Sequence, residues 1–167
     1  MGLCEGLPII IAEGAKVLIL GSMPGNVSLA KGEYYGNRNN HFWSIMFAIL
    51  GVQEPPTEYA DRVKCLTSNG VGLWDVLARC EREGSLDSAI QREIPNDFSR
   101  LFGDYPSINL VVFNGTKARD VWRRYVVLDQ CDHLEFKTMP STSPTPGRNV
   151  KPLDEKIKEW MMIKEYL

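Results

Sequence analysis

The run Val17-Leu18-Ile19-Leu20, halted by Gly21-Ser22-Met23-Pro24-Gly25, restricts the folds open to this chain more than any other stretch. A short block of β-branched and leucine residues ended by two glycines and a proline reads as a buried strand, about residues 16–21, that delivers a loop to a sheet edge. Backbone there can approach a ligand closely. The same pattern recurs at residues 71–76 after Asn69-Gly70, at 108–113 before Asn114-Gly115, and at 134–137 ahead of the proline-rich stretch 139–147.

Helical periodicity fills the gaps. From Asn40 onward, Phe42, Ile45, Met46, Ile49 and Leu50 fall at three- and four-residue steps as far as Gly51. Thr57 reads as the N-cap of a second helix with Tyr59, Val63 and Leu66 inward. Asp97 caps a short helix to Phe102, stopped by Gly103. Thr116 opens another through Tyr125, with Ala118, Val121, Trp122 and Tyr125 inward, and a last helix near Leu153 buries Leu153, Ile157, Trp160 and Met161. Residues 1–15 read as an irregular lead-in whose part 7–12 packs on the sheet, and alternation does not resolve 77–96. Strands alternating with helices predict an α/β fold. It is a three-layer α/β/α sandwich around a mainly parallel four-stranded sheet, one domain over residues 1–167.

In such a fold ligands bind beyond the carboxyl ends of the strands. That rule gathers four loops on one rim: 21–40, 76 onward, 114–117 and 139–148. The rim has no nucleophile elbow, phosphate-binding Gly-Lys loop or dinucleotide fingerprint, and its near carboxylates are only Glu33 and Asp75. A two-carboxylate glycosidase is therefore weakly supported. Four cysteines without a Cys-x-x-Cys pair, beside two histidines, predict neither metal nor cofactor. The absence of a long apolar run and an acid at Glu5 predict a cytoplasmic protein with no membrane partner, nucleoid-associated in a prokaryote.

The loops instead supply amides, hydroxyls and aromatics, among them Ser22, Tyr35, Asn37, Asn39, Asn40, Asn114, Ser141, Thr142 and Ser143. These suit a flat, hydrogen-bonding ring. An extruded nucleobase is held by stacking and edge hydrogen bonds, with cations on the flanking phosphates. The formal net charge of −2 does not advertise a nucleic-acid binder, yet Lys31, Arg38, Lys117, Arg119, Arg123, Arg124, Arg148 and Lys151 lie in or just after these loops.

The chain resembles the uracil-DNA glycosylase superfamily from about residue 17 to 160. Gly21-Ser22-Met23-Pro24-Gly25, Asn40-His41-Phe42-Trp43, Phe113-Asn114-Gly115 and Pro140-Ser141-Thr142-Ser143-Pro144 carry the likeness. Met23 and Met139 stand where most branches have water-handling or base-stabilising polar residues. With Gly-Leu-Trp-Asp-Val at 72–76, that departure is similar to the hypoxanthine-DNA glycosylase branch.

The resemblance implies a monomeric, monofunctional glycosylase that excises a deaminated base from DNA, hypoxanthine first, with xanthine or uracil as alternatives. It puts catalysis on Asn40, with Asn39 as the fallback. The base falls to Gly21, Ser22, Met23, Pro24, Gly25, Tyr35, Phe42 and Asn114. Phe42 reads equally as core and Asn114 equally as a turn residue. DNA contacts fall to Lys117, Arg119, Ser141, Thr142, Ser143, Pro144 and Arg148, the 141–148 loop serving as a minor-groove wedge. Two other readings stay open: a mismatch-specific uracil or thymine glycosylase, and a non-catalytic damaged-base or nucleotide-binding module. The superfamily's iron–sulfur form would need more than the spacing of Cys65 and Cys80.

Overall fold

In the computed structural model, which describes residues 2–167 (Met1 lies outside them), β1 (Gly2–Glu5) precedes β2 (Val17–Gly21). Then come α1 (Asn26–Lys31), α2 (Phe42–Leu50), α3 (Tyr59–Ser68), β3 (Val71–Asp75), β4 (Leu77–Arg82) and β5 (Gln91–Pro95). The chain closes with α4 (Phe98–Asp104), β6 (Leu110–Asn114), α5 (Thr116–Tyr125), β7 (Glu135–Met139), α6 (Leu153–Trp160) and a 3₁₀ stretch, Met161–Tyr166.

Strands β3, β2, β6 and β7 form, in that order, an all-parallel sheet. Alternation along β2 divides the interior in two. Val17 and Ile19 pack with Phe42, Ile45, Met46 and Trp160, whereas Leu18 and Leu20 pack with Phe98, Leu101, Val121 and Trp122. Helices α2, α3 and α6 thus cover one face and α4 and α5 the other, which is the three-layer sandwich that the alternation predicts. The chain steps from β2 to β3 on one side and later places β6 on the other side of β2. The crevice at this switch point lies between the carboxyl ends of β2 and β6, at Gly21 and Asn114.

Several local expectations need correction. The lead-in is partly a strand, since β1 pairs antiparallel with β4, and β4 with β5, as a second, three-stranded sheet built from the unresolved segment 77–96. Ile10 does bind the main sheet, exchanging hydrogen bonds with Leu73 at 3.0 and 2.7 Å. Residues 26–31 of the first rim loop form α1. Glu58, not Thr57, precedes α3, and neither caps it through a side chain. Asp97 does cap α4 by accepting from the Arg100 N–H at 3.1 Å, but the helix runs one residue past Gly103. Tyr125 and Met161 are 38% and 37% exposed. Near Met161, Lys156 of α6 and Ile163 of the 3₁₀ stretch are buried instead.

The central position of β2 makes it the place where the fold is most sensitive. Ile19→Ala, at a fully buried site, should lower unfolding free energy by about 2–5 kcal/mol. Ile94→Ala, on the exposed side of β5, should stay within about 0.5 kcal/mol. Urea denaturation with unchanged slope checks both.

Candidate active site

A cleft of about 500 Å³ opens at the switch point and collects all four rim loops. One wall is the 21–25 loop. The others are the Tyr35, Asn37 and Asn40 stretch, residues 85–88 at the tip of the β4–β5 hairpin, and residues 140–145 beyond β7. That fit follows from the parallel sheet, which sends every carboxyl end to one side.

Asn114, at the end of β6, joins two of these walls. Its Nδ2 donates to Tyr35 Oη at 3.1 Å and to Thr142 Oγ1 at 2.9 Å, while its Oδ1 accepts the Thr142 N–H at 2.9 Å. Both carboxamide hydrogens thus frame the cleft, and the oxygen, which accepts one bond, keeps a second lone pair at the cleft wall. Gly115, at φ 91°, must be glycine, because a Cβ would meet Ser141 Cβ at 3.1 Å.

Asn40 lines the cleft. Its Oδ1 accepts the Phe42 N–H at 2.9 Å, which fixes the carboxamide and leaves a second lone pair on that oxygen. Asn39 faces the other way, into a separate hollow. Phe42 does not reach the cleft. It is fully buried beneath Tyr35, whose ring stacks on it at 3.9 Å and 19°, so Tyr35 is the aromatic surface that lines the cavity. The Tyr35 backbone holds φ 55°, an unusual state for a bulky residue, secured by Gly36 N–H donating to Ser28 Oγ at 3.0 Å. Burial and the nearby Asp75 carboxyl keep its phenol protonated.

The 21–25 loop carries the apolar Met23, 6% exposed, and its Ser22 hydroxyl donates to Asp87. The N–H groups of Ser22, Met23 and Gly25 donate to no backbone carbonyl outside the regular elements and to no side chain among the described residues. They are free for a ligand. Met139 is 7% exposed and belongs to the core under α2 and α6.

Two charged residues matter more than their sequence context suggests. Asp75 ends β3, is 5% exposed, and keeps Oδ2 without a hydrogen-bond partner. Gly21 must be glycine beside it, since a Cβ would come within 2.5 Å of Asp75 Oδ1. Burial first, then repulsion from Asp87, pushes the Asp75 pKa up to about 7, against a smaller pull from Arg82. Arg82 is 3% exposed. Its Nη2 donates to the Pro24 carbonyl, while Nε and Nη1 lack partners, so a positive charge sits beneath the 21–25 loop. The only sequence signal for Asp75 is its place at a strand's carboxyl end. For Arg82 there is none, because it lies within 77–96.

The remaining predicted DNA contacts divide. Ser141, Thr142, Ser143 and Pro144 line the cleft, Thr142 anchored by Asn114 and by accepting the His41 N–H at 3.0 Å. Arg148 is exposed at the far end of that loop. Lys117 and Arg119 do not face the cleft. Lys117 turns to Glu93 of β5 at 3.4 Å, and Arg119 pairs with Asp120 at 2.8 Å. Cys4 sits opposite Cys80 in the small sheet, while Cys65 packs in the other core, so the main sheet separates Cys65 from Cys80. Among the described residues no cluster of three or more His, Cys, Asp or Glu is placed to hold a metal, and no helix is long and apolar enough to cross a membrane.

Residues 8–163 match the uracil DNA glycosylase superfamily. The chain is 38% identical over 159 residues to a Methanosarcina acetivorans protein named hypoxanthine DNA glycosylase, covering 95% of this chain and 96% of that one. It is 37% identical over 147 residues to a Methanosarcina barkeri protein of the same name, covering 88% and 90%. A solution NMR structure from Methanosarcina acetivorans, assigned provisionally as a uracil DNA glycosylase, superposes with a TM-score of 0.79 at 35% identity, covering 98% and 97%.

The buried carboxyl has a thermodynamic signature. Because the folded chain holds the Asp75 proton up to about pH 7 while the unfolded chain releases it near 3.8, stability is greatest below that lower value and falls as pH rises toward 7. Asp75→Asn should remove this slope, worth on the order of 4 kcal/mol at full burial. Urea unfolding of both proteins from pH 4 to 8 measures it.

Proposed function

The chain belongs to the uracil DNA glycosylase superfamily and is a DNA glycosylase; on that premise we propose that it excises hypoxanthine from DNA, with Asn40 as the catalytic residue. The observation that carries this reading is the Asn40 carboxamide, pinned at the cleft wall by the Phe42 N–H with one oxygen lone pair unspent. Holding the first N–H of α2 and catalysis are here compatible tasks for one side chain. That hydrogen bond orients the group that the chemistry uses.

A deaminated nucleotide swung into the cleft stacks on Tyr35 and meets the 21–25 loop with its base edge. Hypoxanthine presents an oxygen at C6 where adenine presents an amino group, so a donor from the protein at that point selects against the undamaged base. Asp75 in its protonated form is such a donor. Water held by Asn40 Oδ1 adds at C1′ as the C1′–N9 bond breaks with its electron pair leaving on the base. The proton that water gives up ends on the departing base, so the products are an abasic sugar and neutral hypoxanthine. The free N–H groups of Ser22, Met23 and Gly25, with Arg82 beneath them, stabilise the negative charge while it develops. An amide is a weak base, so Asn40 acts by positioning rather than by proton abstraction. The protein works as a cytoplasmic monomer on DNA, and the exposed 144–148 tip is the element that enters the minor groove.

Asn40→Ala should slow single-turnover excision from an inosine-containing duplex by roughly a hundredfold or more. A larger loss in Asn39→Ala would reverse the assignment. Assaying hypoxanthine, xanthine, uracil and mismatched thymine in one duplex context separates this activity from a mismatch-specific one. No turnover of any of them would leave a damaged-base-binding module. Excision should also decline as pH rises through about 7, the pKa of Asp75, and Asp75→Asn should lose that limb of the profile. An unchanged limb in the variant assigns the proton elsewhere.

A further inference from the structure

Residue 40 stands in a wall with two faces. Asn40 lines the cleft, but its neighbours Asn39 and His41 line a second, open hollow together with Arg38 and Lys156. Ser143, Pro144 and Val150 border both cavities. The hollow therefore lies next to the cleft proposed to hold the flipped nucleotide, on the other side of the Asn40 backbone.

Its chemistry is one-sided. Lys156, on α6, is 1% exposed, and its amine meets Nδ1 of His41 at 3.2 Å. No carboxylate lies within ion-pair distance of that amine among the described residues, and none borders the hollow. An ammonium accepts nothing, so Nδ1 is the acceptor and the neutral ring carries its proton on Nε2 as a further donor. Arg38 and the Asn39 carboxamide add donors from the exposed side. A buried ammonium without an opposing charge is unfavourable, and burial accordingly lowers the pKa of both Lys156 and His41. The position is held by packing rather than by charge. Trp160, one turn along α6, is fully buried and donates to the Pro140 carbonyl at 2.9 Å.

We infer that this hollow binds a backbone phosphate of the DNA strand that carries the damaged nucleotide, with Lys156, His41, Arg38 and Asn39 as its ligands. The missing counter-charge is supplied by the substrate. The inference rests on reading the main cleft as a DNA site, and it gives DNA binding a fixed anchor that Lys117 and Arg119, both turned to acids, do not provide.

The test uses duplexes that hold one hypoxanthine and, in turn, a neutral methylphosphonate at each phosphate flanking it. Lys156→Met keeps the buried volume and removes the charge, and Arg38→Ala alters only an exposed residue. Each should lower the magnitude of the slope of log affinity against log salt, by about one at most because the two cations share one phosphate, and Lys156→Met should weaken binding about tenfold at moderate salt. One methylphosphonate should weaken the wild type by a similar factor and leave Lys156→Met no weaker than before. Unchanged slopes in both variants, or additive losses at every phosphate, overturn the inference. If Lys156→Met does not unfold cooperatively, Arg38→Ala and its methylphosphonate series decide alone. A wild-type chain that binds the duplex with the expected slope but excises nothing would sink the activity reading and leave the phosphate site standing.

Discussion

Three loops that are far apart in the chain have to agree on one geometry before the cleft exists, and the Asn114 carboxamide is where they meet. It ties the end of β6 to Tyr35 from the first rim loop and to Thr142 from the last, through three hydrogen bonds of 2.9–3.1 Å. A side chain that uses both donor and acceptor groups in this way has one orientation, so the loops share it. The His41 N–H to Thr142 carbonyl bond carries the same constraint to the start of α2, and Asn40 lies immediately before it.

Within that frame the charge arrangement is local rather than global. A chain of net charge −2 cannot attract DNA by its overall field. Beside the apolar Met23 it has a buried carboxyl at Asp75 that resists ionisation, and its unfavourable charges are a buried guanidinium at Arg82 and an unopposed amine at Lys156. Burying these three polar groups without full partners is unfavourable in the unliganded fold. On the proposed reading they would face the edge, the leaving charge and the backbone of a single nucleotide, so that binding would relieve costs that folding alone leaves in place.

The main sheet was legible because its strands are short apolar blocks with hard stops, and the helices because their inward residues repeat over two or more turns. The second sheet was not, for a visible reason. Pairing between β4 and β5 shifts register between Leu77 and Arg79 and again between Arg79 and Glu81, and such irregularities erase the two-residue alternation by which a strand is recognised. Helix α1 spans six residues, too few for a 3.6-residue period to emerge. Tyr125 falls on the apolar stripe of α5, yet its hydroxyl is drawn outward to Glu93, a residue of that unread hairpin.

For the site, the parallel sheet predicted from sequence sends the carboxyl ends of its strands to one side, which brings most of the expected rim residues to one cleft. Asn40, Tyr35, the 21–25 loop and residues 141–144 all line the cleft. Tertiary structure decided the parts that depend on contacts between distant segments. It buried Phe42 under Tyr35, committed Asn114 to the frame, turned Lys117 away to Glu93, and set Lys156 against His41 across 115 positions of chain. Periodicity and turn chemistry act over a few residues and can be read in a line. Burial, pKa and the pairing of charges belong to the packed volume, and they exist only once the layers have closed.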